Sequence, residues 1–162
     1  MKENQLTRMI IRLIMVTVLS GFSASVVNAD DIQLSDGQTV YVPIYSHIYS
    51  GFKARPFDLA ATLSVRNTDP THTITLLAVT YYDSEGKLLK EYLSEPVKMT
   101  ALMSTRYIIM EGDKTGGSGA NFIVKWKADQ KVNPPIIEGV MIGTHSGQGI
   151  SFVSRGQIIK DK

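Results

Sequence analysis

The alternation of side chains between residues 59 and 83 constrains the fold more than any other feature of the sequence. In an extended chain, the apolar side chains at the start of this stretch would all lie on one face; they are Leu59, Ala61, Leu63 and Val65. A period of two is typical of a β-strand with one buried face. Residues 67–70 carry turn-forming side chains, and the β-branched and aromatic residues 73–82 predict a second strand. This pair of strands, which we expect to form a hairpin, indicates an all-β domain.

The rest of the chain repeats short extended segments without a helical period after residue 29. Further strands are predicted at residues 39–49, 87–93, 105–110, 121–128, 136–143 and 150–154. Short strands at spacings of about ten to fifteen residues with regular turns favour a sandwich or a barrel. Of these, we predict an immunoglobulin-like β-sandwich of about seven to eight antiparallel strands.

Individual residues predict where some strands lie. Pro43 cannot donate to a hydrogen-bonded ladder, so the strand over residues 39–49 is expected at an edge or at the start of a sheet. Charged residues over 87–93 indicate another edge strand. The apolar run 136–143 predicts a central strand, and Trp126 is expected in the core.

Residues 1–29 have the layout of a secretory signal peptide. Lys2, Arg8 and Arg12 precede an apolar run over residues 13–27, and small residues end at Ala29. The alternative is an uncleaved anchor, but the run is shorter than the roughly twenty residues that span a bilayer. We therefore expect cleavage after Ala29, a single domain over residues 30–162, and a periplasmic or secreted location.

The charge and cysteine content exclude several classes of protein. The formal net charge of +2 comes from the first twelve residues, and residues 30–162 are balanced. The basic footprint of a nucleic-acid-binding protein is therefore missing. The chain has no cysteine, so the domain must be stable without disulfides and cannot carry a lipid on a lipoprotein cysteine.

A glycine-rich segment over residues 111–120 predicts a loop that carries Lys114 and Ser118 as candidate ligand contacts. The segment differs from a phosphate-binding loop because it lacks the Gly-Lys-Ser/Thr sequence and precedes a strand instead of a helix. The alternative is a tightly folded or flexible loop at one end of the sandwich, with no ligand.

Two further sets of residues are candidates for ligand binding. Tyr41, Tyr45 and Tyr49 recur at a spacing of four, which would place them on one face of a strand as an aromatic contact surface, or as cover for the core or the sheet edge. Arg66 and Arg106 occupy polar positions of two strands and either form a basic site or pair with carboxylates across strands.

The histidines give little support for catalysis. His47, His72 and His145 each lack a second ligand at metal-binding spacing. An enzyme, whether metal-dependent or hydrolytic, would have to use His145 with a carboxylate such as Asp113 or Glu138. We predict no catalytic residues, no metal and no cofactor.

Five blocks of sequence, taken together, resemble a known family. They are VYVPIYSHIYSG (40–51), LAATLSVRNTD (59–69), YYDSEGKLL (81–89), GGSGANFIVKW (116–126) and PIIEGVMIGTHSGQGISFVSRG (135–156). They occur in the order found in a bacterial family of exported proteins known only as domain of unknown function 3124. The resemblance implies export from a bacterial cell, and it implies no activity, ligand or catalytic residue.

The sequence therefore favours a non-catalytic binding or assembly module outside the cytoplasm. Its expected contacts are the loops at the end of the sandwich, over residues 111–120 and 144–149, including His145. An envelope protein or a small ligand is the expected partner, with no nucleic acid and no membrane span after cleavage. The small periplasmic enzyme remains the alternative.

Overall fold

The structure is a computed structural model that describes residue 4 and residues 33–50, 52–145 and 147–161. The predicted signal peptide, apart from residue 4, lies outside the described residues. The described strands belong to one compact unit, residues 32–162. Twelve strands follow one another: β1 (Ser35–Pro43), β2 (His47–Ser50), β3 (Arg55–Asp58), β4 (Ala60–Arg66), β5 (Ile74–Tyr82), β6 (Leu88–Glu91), β7 (Val97–Met99), β8 (Ser104–Ile109), β9 (Asn121–Val132), β10 (Ile136–His145), β11 (Gln148–Arg155) and β12 (Gln157–Asp161).

The strands form two antiparallel sheets and a small hairpin. One sheet has the order β12-β1-β9-β5-β6, with β7 also paired to β5, and the second has the order β11-β10-β4-β8. Strands β2 and β3 pair with each other. The predicted all-β sandwich is therefore confirmed. No helix among the described residues is long and apolar enough to cross a membrane.

The core lies between the two sheets and follows the predicted alternation. Leu59, Leu63 and Val65 are fully buried, as are Phe122 and Val124 on the facing sheet. Burying a large apolar side chain completely stabilises a fold by roughly 1.5–3 kcal/mol, so this layer can hold the sheets together without disulfides. Trp126 is 2% exposed, as predicted.

The two strands that the sequence analysis joined as a hairpin do not pair with each other. Strand β4 pairs with β8 and β10, whereas β5 pairs with β6, β7 and β9. The turn after Arg66 therefore carries the chain from one sheet to the other. Strands B and C of immunoglobulin domains are also placed in opposite sheets.

The turn after Arg66 contains two buried polar side chains, Asn67 and Asp69, which are hydrogen-bonded to the backbone of other segments. The Asn67 amide nitrogen donates to the backbone oxygens of His72 (2.8 Å), Met99 (3.2 Å) and Thr100 (3.0 Å). One Asp69 carboxylate oxygen accepts from the backbone N–H groups of residues 71 and 72, and the other accepts from residue 133. The turn thus ties three chain connections together at one end of the sandwich.

Several strand positions differ from prediction, and others agree with it. The predicted strand 39–49 is broken at residues 44–46 into β1 and β2, and β1 is an inner strand because β12 pairs along its other side. Pro43 is tolerated because it is the last residue of β1. Eight strands were predicted, and the described chain has twelve. One of the four extra strands comes from this break, and the other three are the short strands β3, β7 and β12. Strand β6 lies at a sheet edge and β10 is central, as predicted.

Candidate functional site

Arg66 and Arg106, forty residues apart in the sequence, lie together on the outer face of the four-stranded sheet. Strands β4 and β8 are adjacent, and their register places Ser64 opposite Arg106 and Arg66 opposite Ser104. A pocket of about 270 Å³ opens between them. We call it the arginine groove, and it is lined by Arg66, Arg106, Thr62, Ser64, Ser104, Thr105 and Val140.

The groove holds one of its arginines in a defined orientation. Nε of Arg66 donates to Oγ of Ser64 at 3.1 Å. Ser64 is only 8% exposed, so its hydroxyl is a fixed anchor for the guanidinium. A guanidinium has five N–H donors, and this bond uses one of them. Among the described residues, the terminal nitrogens of Arg66 form no ion pair, so they can bind a ligand.

Neither arginine of the groove forms an ion pair with an acid of the described residues. Within the described part of the chain, the ion pairs are His72–Asp69 and Lys114–Asp58, and neither includes an arginine. The row of side chains that contains Arg106 continues through Ser64 and Glu138 to Arg155. Glu138 is therefore two strands from Arg106, or about 10 Å, and next to Arg155. It also lies diagonally across from Arg66, with which it forms no ion pair. Among the residues that the structure describes, Arg66 and Arg106 form no cross-strand salt bridge, which was the alternative interpretation of these two positions.

The three tyrosines do not share one strand face. Tyr41 lies on the outer face of β1, opposite Ile123 of β9, whereas Tyr45 lies in the break after β1 and packs against Phe152 with ring centroids 5.7 Å apart. Tyr49 lies on β2 and is 61% exposed. The tyrosines do not share a face because the strand predicted over residues 39–49 ends at Pro43 and a new strand begins at His47.

The glycine-rich loop is tightly packed against its neighbours. The Gly116 carbonyl accepts from the backbone N–H of Ser84 and from its hydroxyl, both at 3.0 Å. The Gly117 carbonyl accepts from the backbone N–H and the hydroxyl of Ser46. Lys114 forms an ion pair with Asp58 at 2.7 Å, and Ser118 is half-buried. The loop closes this end of the sandwich, as the tightly folded alternative predicted.

The loop packs against Tyr81, a buried tyrosine at the centre of a group of aromatic side chains. Tyr81 is 2% exposed, and its ring lies 5.0 Å from that of Phe122. Burial, with the negative charge of Asp113 nearby, raises the pKa of Tyr81 to about 12, and burial also raises the pKa of Tyr92 and Tyr107. Tyr81 is therefore a core residue, and Tyr92 and Tyr107 are partly buried and pack against the core.

The structure does not bring His145 and Glu138 together. Both lie on β10, seven residues apart, which is about 23 Å along a strand. They also point to opposite faces. Asp113 accepts a hydrogen bond from the backbone N–H of Thr115 at 3.0 Å, and His145 packs edge-on against Phe57. Within the described residues, no three His, Cys, Asp or Glu side chains gather in a group able to hold a metal ion.

A second groove, on the outer face of the six-stranded sheet, was missed by the sequence analysis. We call it the lysine groove. It has a volume of about 560 Å³ and is lined by Lys125, Lys127, Lys160, Leu77, Ile159, Trp126 and residues 37–39 of β1. The alternation around Trp126 already placed Lys125 and Lys127 on one wet face. Nothing in the sequence indicated that β12 would bring Lys160 beside them.

Comparisons with known proteins identify a family and a distant structural neighbour. A search of curated proteins found no match. A crystal structure entitled Thermotoga maritima 1070 is similar with a TM-score of 0.47 and 9% identity, over 77% of this chain and 97% of that chain. The family model described as protein of unknown function (DUF3124) matches residues 37–159. Since this match covers most of the chain, the protein belongs to the DUF3124 family.

Proposed function

We propose that this protein is an exported, non-catalytic binding module that holds an oxyanion group of its ligand between Arg66 and Arg106. The observation that carries the proposal is the pair of guanidinium groups that line one hydroxyl-rich pocket with no carboxylate paired to either of them among the described residues. This site replaces the end loops as the expected contact, because Lys114 is already paired and the glycine-rich loop is packed.

Guanidinium chemistry favours an oxyanion over other ligands. The planar fork of N–H donors matches the oxygens of a carboxylate, phosphate or sulfate and binds two of them at once. The hydroxyls of Thr62, Ser64 and Ser104 add neutral donors around the same pocket. Hydrogen bonds that involve a charged group stabilise by about 1.5–3 kcal/mol each.

The size of the groove indicates how much of the ligand it holds. Pockets for whole drug-sized molecules occupy roughly 300–1,000 Å³, and the arginine groove has about 270 Å³. It therefore fits one anionic group of a larger molecule that extends across the sheet. An envelope component or a small ligand that carries such a group is the partner we propose.

Export is the second part of this proposal and rests on the sequence of residues 1–29. The basic start, the apolar run and the small residues before Asp30 favour secretion and cleavage after Ala29. Mass spectrometry of the protein recovered from the periplasm of its host tests this. We expect a mature chain that begins at Asp30, and an intact Met1 terminus on cytosolic protein would contradict export.

Calorimetric titration with inorganic phosphate, sulfate and acetate tests the site. We expect saturable binding that weakens as salt concentration rises, because exposed charges are screened. Arg66→Gln and Arg106→Gln should each raise Kd by about 10- to 100-fold, which corresponds to the loss of roughly 1.5–3 kcal/mol. Arg106→Lys should lie between the wild type and Arg106→Gln because it keeps the charge and loses the fork.

Arg155→Gln is the matched control. Arg155 lies on the same sheet face, in the same row as Arg106 and beside Glu138, and it does not line the groove. Its removal changes the net charge by the same amount and should leave Kd within about twofold, since rim charges contribute little. Equal weakening by Arg155→Gln and Arg106→Gln would indicate nonspecific attraction and would overturn the proposed site.

A further inference from the structure

We propose that the lysine groove is a second binding site, which takes an amphiphilic anion: a molecule with one carboxylate, sulfate or phosphate head and an aliphatic chain. This site lies on the other sheet from the arginine groove, and the proposal does not depend on the function proposed above. It rests on two β-bulges and three lysines.

Two β-bulges supply the apolar walls of the groove. The register between β5 and β9 shifts between Leu76 and Ala78, so Leu77 is an extra residue. The register between β1 and β12 shifts in the same way and leaves Ile159 extra. A bulge turns a side chain out of the regular alternation. Leu77 and Ile159 are 41% and 57% exposed, and they border the groove from strands on either side of β1 and β9.

Three lysines supply its positive charge. Lys125 and Lys160 lie on the two strands that flank Thr39 of β1, each in register with it, and Lys127 lies two residues further along β9. None of these lysines forms an ion pair within the described part of the chain, and the groove lining includes no carboxylate. Three ammonium groups within a few strand spacings favour an anionic group.

The combination of charge and aliphatic surface identifies the chemical class of the ligand. A small inorganic ion would leave Leu77 and Ile159 in water, and an apolar molecule would desolvate lysines without compensation. A molecule with an anionic head and an aliphatic chain can pair with the lysines and cover Leu77 and Ile159 at the same time. The volume of about 560 Å³ falls in the range of pockets that hold a whole small ligand, so we assign the groove to single molecules and not to a membrane surface.

Trp126 gives a spectroscopic signal close to the groove. It lies between Lys125 and Lys127 on β9, its side chain faces the core behind them and is 2% exposed, and it is the only tryptophan of the 162-residue chain, so its emission reports on packing directly behind the groove. Its ring nitrogen is buried and, among the described residues, has no hydrogen-bond partner. Buried polar groups are normally paired.

Titration of the purified protein with decanoate, well below its micelle concentration, tests the assignment by Trp126 fluorescence and by calorimetry. We expect a saturable change of Trp126 emission with decanoate. Acetate has the charge without the chain, and octyl glucoside has a chain without the charge, so neither should change the emission at the same concentration. Acetate bound in the arginine groove does not reach Trp126, which lies in the other sheet.

Variants separate the groove from general charge effects. Lys125→Gln with Lys127→Gln should raise the decanoate Kd at least tenfold, and Leu77→Ser should raise it severalfold. The control is Lys87→Gln with Lys98→Gln, which removes the same charge from residues outside the groove and should leave Kd unchanged. Circular dichroism verifies that each variant is folded.

Three results of the titrations would overturn the proposal. The first is the absence of both a heat of binding and an emission change with decanoate, and the second is octyl glucoside binding as tightly as decanoate. The third is an equal rise of the decanoate Kd in the Lys125/Lys127 variant and in the Lys87/Lys98 control. Binding to vesicles of anionic phospholipid without binding to monomeric decanoate would also overturn it, because that result assigns the lysines to a membrane surface.

Discussion

Substitution of Gly116 by alanine should destabilise the protein, because the loop approaches a buried side chain at this point. A Cβ added to Gly116 would overlap the hydroxyl of Tyr81 and lie 2.7 Å from its Cζ, and ordinary contact begins at 3.4 Å. The ring or the loop would have to move by roughly 0.7 Å or more in a close-packed interior. Such overpacking costs about 1–3 kcal/mol, which urea denaturation measures as a lower midpoint at an unchanged slope.

Two comparisons make this result decisive. Gly112 lies in the same loop with nothing within 4 Å of an added Cβ, so Gly112→Ala should change the free energy of unfolding by less than about 0.5 kcal/mol. The Tyr81 hydroxyl is buried without a partner among the described residues, so Tyr81→Phe should cost little and should reduce the cost of Gly116→Ala. Equal stability of the two alanine variants would refute the packing of the loop against Tyr81.

Three further predictions concern polar residues. Asn67→Ala should lower the free energy of unfolding, measured by urea denaturation, by about 3 kcal/mol. Two N–H groups and one oxygen of the buried amide lose their hydrogen bonds, at roughly 1 kcal/mol each. A loss below about 1 kcal/mol would contradict the role of Asn67 in tying the turn. Hydrogen bonds from the backbone, first that of Thr71, hold the pKa of Asp69 far below its usual value, although burial opposes the shift. The ionised carboxylate therefore stabilises the fold above the unfolded pKa of about 3.9, and this contribution is lost as pH falls from there toward the lower folded pKa. The difference in unfolding free energy between wild type and Asp69→Asn should then shrink below about pH 4, and a constant difference would be inconsistent with ionic stabilisation. Lys114→Met removes an exposed ion pair and should cost less than about 1 kcal/mol, whereas a larger loss of stability would assign the pair a structural role.

The local strands could be predicted from the sequence because their signal is local. Leu63 and Val65 show the alternation that buries one face of β4, and both are fully buried. The pairing of strands depends on contacts between distant residues, so the sequence did not reveal that β4 and β5 enter different sheets. The buried hydrogen bonds of Asn67 were hidden in the same way, because their acceptors lie at residues 72, 99 and 100.

The candidate site was predictable only in part, for the same reason. Polar positions on two strands singled out Arg66 and Arg106, and the β4–β8 register brought them together. The glycine-rich loop was misleading because a run of glycines indicates flexibility or close packing equally well. The close approach of Gly116 to Tyr81 shows that these glycines allow close packing. The bulges at Leu77 and Ile159 leave no sequence signal, so the lysine groove emerges only from the sheet.

The most direct test of the central proposal is an NMR titration of the arginine side-chain Nε–H resonances with inorganic phosphate. The chain has arginines inside and outside the groove, which provides internal controls in one spectrum. The proposed site predicts saturable shifts of the Nε–H signals of Arg66 and Arg106, with Arg55 and Arg155 nearly unmoved. Uniform small shifts at all four arginines, or none at any of them, would contradict an oxyanion site on this sheet.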